Sequence, residues 1–223
     1  MKRFILLTLA ALLCLTFSAC LTRTEIVDTA LIQAIGIDHI NNEYIITLQK
    51  FSPHGSTALS EGARADILQV KGESISEALG KIGFENGQEL YLGNIQLLLI
   101  GKDTAEDGIS SIVGFIGSSY QIRPNIHIAI ADNTAAEIIT NAPMSDGVVT
   151  AEAIDNLLKR TDYNAGTTGC TVMQVIDALQ HEGTDPFIPL IKLSDGADGK
   201  PHFSIGGTCI FSDDKLVDIL SPE

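Results

Sequence analysis

Apolar residues along this chain follow two kinds of pattern: short runs that suit strands, and i, i+3, i+4, i+7 stripes that suit helices. Ala30 to Ile37 is an apolar run interrupted by Gln33 and Gly36, and from Tyr44 to Gln49 the residues Tyr44, Ile46 and Leu48 alternate with Ile45, Thr47 and Gln49. Asp38 to Glu43, with Asn41-Asn42 inside it, predicts the turn that joins the two as a hairpin. Ser52 to Arg64 carries Pro53, Gly55, Ser56, Ser60 and Gly62 and predicts an exposed loop, after which Ile67 to Val70 resumes a strand. Ser74-Ile-Ser-Glu77 has capping-box spacing, and Ile75, Ala78, Leu79 and Ile82 continue from it as one helical stripe. Ile95 to Ile100 is too short and too uniformly apolar for a surface helix, and predicts a central strand covered on both faces and stopped by Gly101.

The same alternation continues to the end of the chain. Ile109, Ile112, Val113 and Ile116 repeat the helical stripe, and Ile126 to Ile130 is the next strand after an Arg123-Pro124-Asn125 corner. Thr134-Ala-Ala-Glu137 starts a short helix that halts near Pro143, and Ile154, Leu157 and Leu158 mark another. Thr171 and Gln174 stand at capping-box spacing before the stripe Val172, Val175, Ile176 and Leu179. Pro186 and Pro189 bracket an extended segment to Leu193, Ser194 to Pro201 is a polar turn, and Phe203 to Phe211 is a strand that Asp213-Asp214 turns into Leu216-Val217. Helices alternate with strands whose outer members are hairpin-linked. The expected fold is therefore α+β, a mixed β-sheet with hairpin-linked edge strands and packed helices; α/β with antiparallel edges is the alternative.

The N-terminus carries a different signal. Lys2 and Arg3 precede Phe4 to Phe17, a stretch without charge that has the length of a signal-peptide core and is too short to span a bilayer. Ser18 and Ala19 then lead directly into Cys20. Small residues followed at once by Cys look like a bacterial lipobox, with Phe17 where that pattern usually has an aliphatic residue. Residues 1–19 are expected to be a lipoprotein signal peptide, and Cys20 the lipidation site, its thiol taking a diacylglyceryl group. A non-lipidated signal peptide and a retained membrane anchor are the rival readings.

Charge narrows the partners. Cleavage before Cys20 removes two of the 14 basic residues and none of the 28 acidic ones, which takes the net charge from −14 to −16. Such a surface repels nucleic acid and anionic headgroups, so no nucleic-acid partner is expected. With 45% hydrophobic residues the chain can bury a substantial core, as one large domain or two small ones across residues 20–223. Cys170 and Cys209 remain after processing; they could pair in an oxidising compartment or serve as small buried hydrophobes.

Catalytic chemistry is sparse. The histidines at 39, 54, 127, 181 and 202 lack ligand spacing, so no metal site is expected. His39 and His54 are expected to be solvated turn residues, and His127 a hydrogen-bonded sheet residue. No nucleophile elbow, phosphate loop or dinucleotide fingerprint is present. Cys170 stands just before a capping box, which favours a loop or helix-start role over a nucleophile. Catalytic and cofactor-binding residues are accordingly expected to be none, and the protein is expected not to be an enzyme.

Segment order carries a resemblance. Glu25-Ile26 soon after the lipobox, Ile35-Gly36-Ile37-Asp38, Tyr44-Ile-Ile-Thr47-Leu-Gln49 and Leu90-Tyr-Leu-Gly93-Asn94 before Gln96-Leu-Leu-Leu-Ile100-Gly101 come in that order. They are followed by Arg123-Pro124-Asn125 and by Gly207-Thr-Cys-Ile-Phe211-Ser-Asp-Asp-Lys215-Leu216-Val217. Together these resemble the N-terminal part of the Ger(x)C lipoproteins, the C subunits of spore germinant receptors. This chain differs in having Leu21-Thr22 where Trp-Asp often follows the cysteine, Asn94 where His is common and Asp218 where Gly is common. The family's C-terminal domain is absent, so a fragment, a truncated gene or a shortened paralogue is expected. The resemblance implies a non-enzymatic, lipid-anchored subunit on the outer face of the spore inner membrane. It implies two integral membrane subunits as partners, which this subunit would scaffold in nutrient-triggered germination. An extracytoplasmic solute-binding lipoprotein of a transporter is the alternative, and a cell-envelope hydrolase fits the location but not the residues.

Overall fold

The computed structural model of the chain describes residues 1, 3–5, 29–51, 66–141, 150–160, 167, 169–195 and 201–221. Its centre is a nine-stranded mixed sheet. From residue 29 onward come strands β1 (Thr29–Ile40), β2 (Glu43–Lys50) and β3 (Asp66–Gly72), then helix α1 (Ile75–Asn86) and the short β4 (Glu89–Tyr91). A 3-10 turn at Leu92–Asn94 leads to β5 (Leu97–Gly101), helices α2 (Lys102–Asp107) and α3 (Ser110–Ser118), and β6 (His127–Ala131). Helices α4 (Ala135–Asn141), α5 (Thr150–Lys159) and α6 (Val172–Gln180) precede β7 (Phe187–Asp195), β8 (Pro201–Ser212) and β9 (Lys215–Leu220). The spatial order is β3-β2-β1-β5-β6-β7-β8-β9, with β4 paired beside the start of β1. β1, β5, β6 and β7 run parallel, and antiparallel hairpins close both sides. The fold is α+β, as the hydrophobic pattern predicts.

Each parallel strand is apolar on both faces because a helical layer covers each face. Ile35, Ile37, Leu98, Ile100, Ile128 and Ile130 point into a first core together with Ile75, Ala78 and Ile82 of α1, Ile112 and Ile116 of α3, and Val172 and Val175 of α6. The alternate residues Ala34, Leu97, Leu99, Ala129 and Ala131 point into a second core, under Ile138 and Ile139 of α4 and Ile154 and Leu158 of α5. Small residues on this second side let the helices come close. A Cβ on Gly36 would lie 2.7 Å from Ile139 Cδ1 and 3.1 Å from Ala135 Cβ, so glycine there sets how near α4 can approach β1.

Both expected caps form. Ser74 Oγ accepts from the N–H of Glu77 at 3.2 Å, and the Glu77 carboxylate reaches back to the N–H of Glu73 at 2.9 Å. Thr171 and Gln174 make the reciprocal pair at the start of α6. The hairpin turn is tighter than the sequence suggests: β1 runs on to Ile40, and only Asn41 and Asn42 turn, both with positive φ (53° and 65°). Asp38, expected in that turn, is instead 2% exposed inside the sheet. His39 also departs from its expected solvated place. Its ring packs on Tyr44 with centroids 4.7 Å apart, and the backbone N–H of His39 donates to Thr104 Oγ1 at 2.7 Å. The short helix α2 directly after Gly101 is a further departure, for its six residues Lys-Asp-Thr-Ala-Glu-Asp carry too few apolar positions to show a stripe. The predicted loop from Ser52 to Arg64, the halt near Pro143 and His54 lie outside the described residues.

Candidate functional site

Two clusters of polar side chains sit at the ends of the strands, and each has an identifiable task. At the C-terminal end of β1, Asp38 accepts the N–H of Ala135 at 2.8 Å and the N–H of Ala136 at 3.0 Å, one on each carboxylate oxygen. Thr134 Oγ1 takes the N–H of Glu137 at 3.1 Å, so three of the first N–H groups of α4 are satisfied by side chains. Burial pushes the Asp38 carboxyl above its usual range, against the two N–H bonds that hold it down. Gly101 makes room for it, since a Cβ at 101 would overlap Asp38 Oδ1. This is a buried helix cap in which the carboxylate has no open approach for a substrate.

At the opposite ends of the strands, His127 Nδ1 lies 2.6 Å from Asp155 Oδ1, and Lys159 Nζ pairs with the other oxygen of the same carboxylate. An ionised carboxylate only accepts, so His127 carries its hydrogen on Nδ1. Asp155 is 4% exposed, and the network holds α5 on the sheet. The expectation that His127 is a hydrogen-bonded sheet residue holds, with a partner from a helix. No grouping of His, Cys, Asp and Glu among the described residues could hold a metal ion.

Cys170 and Cys209 are both free and buried. Burial pushes the Cys170 thiol up to about 11 and the Cys209 thiol up to about 12, so both stay protonated at neutral pH. They behave as the small buried hydrophobes that the sequence allowed. Open grooves lie on the surface of the described residues. One, of about 470 Å³, runs over Leu79, Gly80, Gly83 and Leu90 beside α1; another, of about 370 Å³, lies between Lys102 and Glu106 of α2 and Leu216 to Ile219 of β9. Cys20, the one site residue expected from sequence, lies outside the described residues. Among the described residues no helix is long and apolar enough to cross a membrane.

Comparison with known proteins places the chain. The family model described as "Spore germination protein N-terminal domain" matches residues 22–193. Among curated proteins, the "Putative spore germination protein YfkR" of Bacillus subtilis (strain 168) is 26% identical over 227 aligned residues, covering 96% of this chain and 57% of that protein. The "Spore germination protein KC" of the same organism is 25% identical over 198 residues, covering 84% of this chain and 48% of that protein. The chain thus spans about half the length of the curated relatives it matches. No solved structure matches. With the family model covering most of the sheet and both helical layers, the chain belongs to the family of spore germination proteins that carry this N-terminal domain.

Proposed function

We propose that this protein is a non-enzymatic, lipid-anchored subunit of a spore germinant receptor that scaffolds two integral membrane subunits in nutrient-triggered germination. The family match over residues 22–193, which begins two positions after the lipobox cysteine, carries the reading. Residues 1–19 act as the signal peptide, Cys20 takes the diacylglyceryl group, and the domain sits on the outer face of the spore inner membrane. Two acyl chains give stable anchoring where one is marginal, and tethering raises the effective concentration of the domain beside its partners. The Asp38 and His127 clusters agree with a non-catalytic role, since each holds a helix on the sheet.

Replacing Cys20 tests it. A domain of net charge −16 has no electrostatic pull toward an anionic membrane, so the lipid and the partners are all that hold it there. Cys20→Ala is expected to lose a palmitate-analogue label, to retain its signal or leave the membrane fraction, and to weaken germination sharply. Cys170→Ala should change none of these. Absence of label on the wild type, or equal label on Cys20→Ala, would end the lipoprotein reading.

A further inference from the structure

Strand register sets one cross-strand row beneath α5: Gln49 of β2, Ala34 of β1, Leu97 of β5 and His127 of β6. The polar ends of that row hold the helix. His127 reaches Asp155, and Gln49 Oε1 accepts the N–H of Ala151 in the first turn at 2.9 Å. Only the oxygen of an amide can accept, so this bond fixes which way the Gln49 amide points. Its Nε2 is then committed to donating, yet it has no hydrogen-bond partner among the described residues, and Gln49 is 0% exposed.

Beside it stands a second amide in the complementary state. Ile32 pairs with Lys50 and Ala34 with Gln49, so a β-bulge makes Gln33 the extra residue opposite Gln49. Ile32 and Ile35 both face the first core and Ala34 faces the second, so the bulge turns Gln33 to the side of Gln49. Gln33 is 8% exposed, and its Oε1, an acceptor, is also without a partner among the described residues. Folded interiors leave few such atoms unpaired. Here an unpaired donor and an unpaired acceptor stand on neighbouring strands beside a helix N-terminus.

We propose that Gln33 and Gln49 form an internal site for one small neutral molecule, a water. It accepts from Gln49 Nε2, donates to Gln33 Oε1, and ties the bulge of β1 to the start of α5. The donor–acceptor pair selects this chemistry. A cation is refused by the Gln49 NH₂ and an anion by the Gln33 oxygen, and both atoms are shut from solvent, which leaves the smallest molecule that can do both.

The test uses the full chain, isotopically labelled, with water itself as the probe. The Gln49 side-chain NH₂ should show cross-peaks to water of opposite sign in NOE and ROE spectra, the signature of a long-lived internal water. Absence of those peaks, or direct contact of the Gln49 NH₂ with the Gln33 amide instead, would overturn the proposal. Thermal midpoints give a second arm. Gln33→Met should lower the midpoint, and its effect should largely vanish in a Gln49→Met background, because both remove ends of one bridge. A raised midpoint for Gln33→Met would show that its oxygen is simply unpaired, and the proposal would fall even if Gln49→Met did not fold.

Discussion

Asp38 and Gly101 form a pair whose coupling can be worked out in advance. The Asp38→Ala substitution removes both bonds to α4 and leaves the N–H of Ala135, a residue 0% exposed, without an acceptor. An unsatisfied buried N–H costs about 1–3 kcal/mol and a lost helix cap about 1 kcal/mol, while relief of burying the carboxylate offsets part of this. A net loss of about 1–3 kcal/mol is expected from those magnitudes. Gly101→Ala drives a methyl group into Asp38 Oδ1, so it breaks the same cap from the other side and adds overpacking, for about 2–4 kcal/mol. With the carboxylate gone the methyl group has room, for its next neighbour, the carbonyl oxygen of Asn133, is 3.4 Å away. The double variant should therefore be about as stable as Asp38→Ala alone, within the ~0.5 kcal/mol of ordinary additivity error. Urea unfolding of the four proteins measures this. If Gly101→Ala costs as much without Asp38 as with it, the proposed steric link is wrong. Titration gives a second handle. Because burial raises the folded-state pKa of Asp38, the native protein holds a proton that the unfolded chain has released, and stability falls as pH rises through that window from about 3.9 upward. Asp38→Asn lacks this titration, so the stability of the wild type relative to Asp38→Asn should decline between pH 4 and the raised pKa. A relative gain over that range would contradict the assignment.

Other expectations follow from the same structure. Leu98→Asp, which places a charge at a residue 0% exposed in the first core, should cost at least several kcal/mol, read as a large drop in the urea midpoint. Asp214 takes the N–H of Ile109 on its backbone carbonyl at 2.9 Å and the N–H of Ser110 on its carboxylate at 3.3 Å; Asp214→Ala should remove only the second and cost about 0.5–2 kcal/mol. The thiols of Cys170 and Cys209 should resist alkylation at neutral pH in the folded chain and react on unfolding; fast labelling of the native protein would contradict their burial and raised pKa values.

What the sequence revealed and what it hid divide along physical lines. Elements whose signal is local were legible. The stripe at Ile75, Ala78, Leu79 and Ile82 and the uniform run at Leu97 to Ile100 announce their environments because burial selects apolar side chains at a fixed period. Thr171 and Gln174 could be paired because a capping box closes within four residues. Asp38 misled because the evidence for its role is far away: an Asp beside Asn-Asn suggests a turn, while the N–H groups that it satisfies belong to residues 97 and 98 positions later. Gln33 looked like an interruption in an apolar run, and Gln49 like a member of the alternate face of a hairpin strand. Their burial depends on α5 and on a bulge that only the pairing of β1 with β2 defines. His127 was placed correctly in a strand, but nothing nearby in the chain points to Asp155.

The boundary of the family model is a separate matter, because sequence similarity and packing draw it differently. The model stops at position 193, within β7, yet β7 continues its pairing with β8 across Phe187 to Asp195, and β8 pairs in turn with β9. Cys209, Phe211 and Leu216, all beyond that limit, are buried in the first core with Ile188 and Leu190. The β8–β9 turn also supplies Asp214 to the start of α3, and the N–H of Asp213 donates to Asp185 Oδ1 at 3.0 Å. Ending the structural unit at the family boundary would uncover β7 as a long apolar edge, the feature that native sheets cover or charge. The hairpin that follows covers it, and its outer strand carries Lys215 and Asp218 in exposed positions, the kind of charged edge that discourages further pairing. Packing thus places residues 201–220 with the matched region.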